Sequence, residues 1–346
     1  MKKILIPLLA LVVMTGCGTA NVSNTVSSQS VSSKHDKGYA IGYKMINAED
    51  LKKNLYVIAS DEMEGRDTGS PGQKKAGEYM VNYYKNLGVS YPKALGSYYQ
   101  KVPSEFMKKR GGGNLPDSEN IMAFIEGSEK PDEIVVISGH YDHVGTKNGV
   151  VYNGADDDGS GTVAVMEMAK AFQAAKKAGK GPKRSVLFLH VTGEEHGLFG
   201  SEYYTDNPVF PLANTVVDLN IDMIGRDDPA NRGKQYIYVI GSDMLSSQLK
   251  VINEEANKKT HNLELNYKYD DLNDPEQLYY RSDHYNFAKN NVPVAFFFDG
   301  IHEDYHKPTD DPDKIDYKLL EKRTQLIFTT AWDIANRTER IVVDKK

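Results

Sequence analysis

The chain has 346 residues, 40% apolar and 26% charged, the balance of a globular protein with a core of useful size. Its formal net charge of −6, without any concentrated basic stripe, argues against binding by phosphate neutralisation, so no nucleic-acid partner is expected. The single cysteine, Cys17, excludes an intrachain disulfide.

In chain order, Lys2 and Lys3 precede an apolar run over residues 4–13, about half of the roughly 20 residues a spanning helix needs. The run ends in Met14-Thr15-Gly16-Cys17, which resembles a bacterial lipoprotein signal. That resemblance implies a signal peptide over 1–17, a lipidated Cys17 and a place in the bacterial cell envelope, periplasmic or extracellular. Residues 18–43 are rich in Ser, Asn and Thr and read as a flexible tether. A regular pattern starts near residue 44, and a single domain over 44–340 is expected.

Within that domain, Ala76, Met80, Tyr83 and Leu87 recur at helical spacing, and Gly88 follows as a C-cap. Four short apolar runs read as buried strands: 133–138, 185–191, 216–221 and 292–298. Helical stretches over 161–178, 244–257 and 317–336 alternate with them. The pattern predicts an α/β fold of three α/β/α layers around a mixed, mainly parallel sheet.

Each strand run leads to metal-competent residues. Residues 133–138 run into Gly139-His140-Tyr141-Asp142, and 185–191 into Thr192-Gly193-Glu194-Glu195. Residues 216–221 end on Asp222, and 292–298 lead through a short loop to His306. Ligands bind beyond the carboxyl ends of strands in open α/β sheets, so these side chains are expected to converge. A fifth element, Asp156-Asp157-Asp158 before the helix at 161, reads alone as an acidic capping turn. Beside the other four it reads as part of a cation site, because adjacent carboxylates repel unless compensated. Two His, two Asp and one Glu suit zinc, and one carboxylate can bridge two ions.

His140-x-Asp142, Asp157 to Gly161, Glu194-Glu195, the segment 220–226 around Asp222, and Tyr305-His306-x-Pro308-x-Asp310 occur in the order seen in dizinc aminopeptidases. Over roughly residues 46–337 the chain resembles that zinc-peptidase family, which also holds glutamate carboxypeptidases and, more distantly, glutaminyl cyclase. The resemblance implies two zinc ions per chain, with His140 and Asp222 on one, Glu195 and His306 on the other, and Asp157 bridging, through a cis peptide to Asp158. It implies Glu194 as general base, Asp142 as hydrogen-bond partner of the liganding imidazole, and Tyr305 as donor to the oxyanion. The expected activity is removal of N-terminal amino acids from peptides. Rivals are a carboxypeptidase or dipeptidase of the same family, a single-zinc glutaminyl cyclase, and a non-catalytic binding module. The short segment from Leu87 to His140 leaves no room for the protease-associated insert that many members carry.

Of the nine histidines, His190 reads as a satisfied core residue, and His35 and His261 as solvated. His143, His196, His284 and His302 lie near the expected site and read as supporting or rim residues; His302 is the nearest rival of His306. Arg226 and Arg281 read as structural partners of carboxylates, with substrate binding as the alternative, and the tyrosines read as packing and surface residues, with pocket lining as the alternative for Tyr279 and Tyr280.

Overall fold

The computed structural model describes residues 36–345. Cys17 and the rest of the proposed signal lie outside them. Strands β1 (Tyr99–Val102), β2 (Ser118–Ile125), β3 (Lys130–His140), β6 (Arg184–Val191), β7 (Thr215–Ile221), β8 (Tyr236–Ile240), β9 (Glu264–Asn266) and β10 (Val294–Phe298) form one sheet. A two-stranded ribbon of β4 (Thr146–Lys147) and β5 (Val150–Val151) stands apart. The order in the large sheet is β1-β2-β6-β3-β7-β10-β8-β9. Its centre, β6-β3-β7-β10, is parallel throughout, while β1, β2 and β8 pair antiparallel with their inner neighbours. The expected mixed, mainly parallel sheet is therefore present, with its antiparallel pairs outside the centre.

The central strands are buried on both faces. Alternate residues serve different cores: Val135 and Ile137 pack on one face, Ile134 and Val136 on the other. Each such side chain, removed from water, contributes about 1.5–3 kcal/mol before ordering costs. The first core is covered by the helices Ala48–Ile58, Pro71–Leu87, Gly161–Lys177 and Tyr317–Asn336. The second is covered by the shorter helices Phe199–Asp206 and His284–Ala288 and by loops. This gives the three layers.

Local chemistry sets the helix ends. In Pro71–Leu87, Ser70 caps the start by accepting from the Gln73 N–H at 3.2 Å, and Pro71 occupies the first turn. Gly88 ends it with φ 71°, a left-handed position that glycine takes without a Cβ penalty. Ser246 and Asp316 cap Ser247–Lys259 and Tyr317–Asn336 in the same way.

One boundary is corrected. Residues 36–43, expected as part of the tether, are helical and packed. Tyr39 stacks on Phe328 and hydrogen-bonds Thr329 at 3.0 Å, and Tyr43 reaches His261 at 3.2 Å. His261 is in turn held to Gln325 at 2.6 Å rather than solvated. At the other end, Ile341 is buried and Asp344 accepts from the Ser247 N–H at 2.8 Å, so packing continues past residue 340.

Candidate active site

The parallel strands deliver their chemistry at one edge. His140 is the last residue of β3, Glu194 and Glu195 follow β6, Asp222 follows β7, and His306 lies in the loop after β10. The fifth element is the turn Ala155–Ser160 before the helix Gly161–Lys177. Its three carboxylates divide the work. Asp156 accepts from the Gly225 N–H at 2.7 Å, and Asp158 from the Gly161 and Met223 N–H groups at 2.9 and 3.0 Å. These two tie backbone together, whereas Asp157 faces the site. The Asp157–Asp158 peptide is cis, and Asp310 accepts from the N–H groups of Asp156 and Asp157 at 3.0 and 3.2 Å.

Two groups of donor atoms share Asp157. In one, His140 Nε2 lies 3.3 Å from Asp157 Oδ1 and 3.5 Å from Asp222 Oδ1. In the other, His306 Nε2 lies 2.9 Å from Asp157 Oδ2 and 3.0 Å from Glu195 Oε2, and His143 joins them. Within each group the donor atoms lie within 4.8 Å of one another. His140 Nε2, Asp157 Oδ2 and Glu195 Oε1 are buried and make no hydrogen bond among the described residues. An unpaired buried polar atom costs about 1–3 kcal/mol, more when charged. A divalent cation at each group would satisfy these atoms, and nitrogen with oxygen donors is the set zinc accepts.

The electrostatics carry the same demand. Burial pushes the Glu194 carboxyl well above the usual range; His140 pulls it back, while Asp222, Glu195 and Asp283 push it further up. Burial opposes a charge on His306, yet Asp157 and Glu195 raise its pKa to about 10. Without a cation the surrounding carboxylates favour protons on His140 and His306.

Glu194 Oε2 lies 3.9 Å from His140 Nε2, beside the first group, and its N–H donates to Asp142 Oδ1 at 3.3 Å. Asp142 supports His140 differently from the expectation. The His140 Nδ1 contacts the Asp142 main-chain oxygen at 3.0 Å, while the carboxylate stands 3.8 Å away and accepts from the Thr68 hydroxyl at 2.8 Å. Extended backbone would have aimed both side chains alike; the chain instead bends after β3. The Tyr305 ring stacks on His306 at 3.9 Å and lines the cleft; burial raises its pKa first, then Asp157 and Asp222, so the phenol keeps its proton.

The remaining histidines separate clearly. His190 meets Tyr84 Oη at 2.6 Å in the core, where burial lowers its pKa to about 3. His284 stacks on Phe296 at 4.7 Å, and His196 meets Asp67 at 2.8 Å on the rim. His302 faces Asp156 at 3.2 Å, behind the turn. His143 is the one that reaches into the donor groups, which its position one residue past Asp142 did not distinguish. Arg226 pairs with Asp304 at 3.1 Å, as a structural arginine does. Arg281 does not: its side chain lines the cleft with Met223, Leu278, Phe296, Phe298 and Ile301 and has no polar partner among the described residues. Tyr279 and Tyr280 stand outside that lining.

Residues 120–331 match the family described as Peptidase family M28, and the chain belongs to it. A protein of Pyricularia oryzae named "Probable zinc metalloprotease" is 35% identical over 165 residues, 46% of this chain and 30% of that protein. The match thus spans less than a third of that relative's length. A "Probable leucine aminopeptidase" of Trichophyton verrucosum is 25% identical over 335 residues, 94% of this chain and 87% of that protein. In fold, the chain is similar to the LapA aminopeptidase of Legionella pneumophila, with a TM-score of 0.66 at 17% identity, covering 96% of this chain and 81% of that one.

Proposed function

We propose that the protein is a metal-dependent exopeptidase that removes N-terminal amino acids from peptides, using two zinc ions. The observation that carries this reading is the pair of donor groups joined by Asp157, with unpaired atoms facing one another and Glu194 beside them. His140, Asp157 and Asp222 would hold one ion, and Asp157, Glu195 and His306 the other. When bound, two zinc ions supply a water of lowered pKa and stabilise charge developing on the carbonyl oxygen. Glu194 takes the proton of the attacking water on its carboxylate and returns it to the leaving amine. Tyr305 donates its phenolic proton in a hydrogen bond to the carbonyl oxygen. Met223, Leu278, Phe296, Phe298 and Ile301 line the cleft with apolar surface and favour an apolar side chain there. Two donor groups rather than one weigh against a single-zinc cyclase, and the complete acid–base set against a binding module.

A second reading is favoured by one residue. Arg281 is exposed at the cleft and has no polar side-chain partner among the described residues, and its charge suits the carboxylate of a free C-terminus, which a carboxypeptidase or dipeptidase binds. One assay separates the two. The full chain is given a short peptide with a free N-terminus and the same peptide acetylated, each with and without a chelator. Release of the first residue from the free peptide alone, abolished by chelation, is expected. Trimming of the acetylated peptide from its C-terminus would transfer the proposal to the carboxypeptidase.

The proposal includes a lipid anchor at Cys17, supported by Lys2, Lys3, the apolar run 4–13 and Met14-Thr15-Gly16 before the cysteine. No helix among the described residues is long and apolar enough to cross a membrane. Cys17→Ser should move the protein from the membrane to the soluble fraction with hydrolysis unchanged; a variant still bound to membranes would sink the anchor.

A further inference from the structure

His143 takes no part in the reaction just derived, yet the fold fixes it firmly against the site. Its ring is fully buried and neither ring nitrogen makes a hydrogen bond among the described residues. One side of the ring lies on Gly154, where an added Cβ would come within 2.4 Å of His143 Cγ, so a glycine is needed there for the ring to fit. Both backbone segments around the ring are held by one buried guanidinium. Arg66 donates to Tyr141 O at 2.9 Å on one side, and to Asn153 O and Gly154 O at 2.7 and 2.9 Å on the other. The His143 N–H donates to Arg66 O at 3.2 Å.

The orientation that results aims Nδ1 into the site. It lies 2.8 Å from Glu195 Oε1 and 3.7 Å from Asp157 Oδ2. The His143 and His306 rings meet edge to face, with centroids 5.6 Å apart. The Nδ1 and Glu195 Oε1 atoms are close, yet both remain without a hydrogen bond. Two atoms that approach without hydrogen-bond geometry, beside two more donors, are arranged as two ligands of one shared cation are.

We propose that His143 is a fourth protein donor, through Nδ1, to the cation surrounded by Asp157, Glu195 and His306. The two ion positions are then unequal, with four side chains on one and three, His140, Asp157 and Asp222, on the other. The four-donor position retains its ion more tightly and serves mainly as fixed positive charge. The three-donor position keeps room for water and substrate, and it is the one beside Glu194. This rests on the two-ion reading above.

Cadmium NMR of the full chain labelled with nitrogen-15 histidine counts the ligands in the unmutated protein. One cadmium coupled to two histidine nitrogens and one coupled to a single nitrogen is the expected result. One histidine on each cadmium would overturn the proposal. A single bound cadmium coupled to two histidines, one coupling being lost in His143→Ala, would keep His143 as a ligand and remove the two-ion reading instead; both couplings surviving in that variant would overturn the proposal. Independently, His143→Ala in the metal-free full chain is titrated with zinc against a competing chelator and with cobalt as a visible probe. The tighter step should weaken by more than about 100-fold, beyond what loss of an outer hydrogen-bond partner costs, and its cobalt spectrum should change. A weakening with the spectrum unchanged would make His143 only the hydrogen-bond partner of Glu195, and the proposal would fall.

Discussion

Two buried polar clusters touch the helix Gly161–Lys177, and they satisfy their atoms in opposite ways. In the middle of the helix, Glu167 accepts from Asn54 at 3.1 Å and Tyr83 at 2.7 Å and pairs with Lys170, which also reaches Asp50 at 2.8 Å. Tyr79 completes the set by donating to Asn54 at 2.8 Å. No buried side-chain atom of these residues lacks a partner. At the start of the same helix, Asp157, His140, His143 and Glu195 bring their unpaired atoms face to face. Each cluster buries a carboxylate beside this helix, Glu167 in one and Asp157 in the other. What differs is closure: the first is complete as protein, whereas the second leaves unpaired atoms that cations would satisfy. The unpaired atoms mark a site here because they converge from several elements on shared positions.

The sharpest test of that contrast is Glu194→Gln. It removes the base and leaves every proposed ligand in place, so turnover should fall by about 10²–10⁴-fold with metal content unchanged. Loss of metal in that variant would make Glu194 a ligand and redraw the site. The matching change in the closed cluster is Glu167→Ala, which strands Asn54, Tyr83 and Lys170. It should cost roughly 3–5 kcal/mol of stability while metal content per folded molecule stays constant. If Glu167→Ala emptied the ion positions, the two clusters would not be independent.

How far the sequence announces all this depends on what each feature needs. The four central strands are continuous apolar runs ending in or leading to ligand-type residues, so the sheet and the convergence of those residues at one edge could be read directly, whereas the choice of His140, Asp157, Glu195, Asp222 and His306 as ligands and of Glu194 as base came from the resemblance to the dizinc family. Strand β2 was silent because it opens with Ser118, Glu119 and Asn120, whose polarity masks the apolar half that follows. The division of labour in Asp156-Asp157-Asp158 was illegible, since neighbouring carboxylates take their directions from local dihedrals, with Asp157 at φ −99° and Asp158 at φ −112°. His143 depends on Arg66, far away in the chain, and no spacing rule links them. Residues 36–43 looked like tether because a helix with two tyrosines on one face is too short to show periodicity.

A smaller effect is expected at Asp142. Because its main-chain oxygen, not its carboxylate, meets His140 Nδ1, Asp142→Asn keeps that contact and loses only charge and some support for Thr68 and Glu194. Metal affinity should fall near the low end of the range for such partners, about 10-fold, by chelator competition. A loss beyond about 100-fold would show that the carboxylate itself positions the imidazole.

The smallest effect tests closure on a third carboxylate, Asp218 on β7. Its Oδ1 accepts from Ser138 at 2.7 Å while Oδ2 has no partner, and burial raises its pKa to about 8. No cation group surrounds it among the described residues, so the carboxyl avoids a buried charge by holding its proton. The folded state then holds a proton that the unfolded chain releases above about pH 4, and the stability this contributes is lost as pH rises toward about 8. Asp218→Asn keeps the acceptor and removes the titration. Its melting temperature should match the wild type near pH 4 and exceed it by on the order of a few °C near pH 8. A difference that does not grow with pH would mean that Asp218 ionises normally, and that an unpaired buried oxygen here carries no information about what completes it.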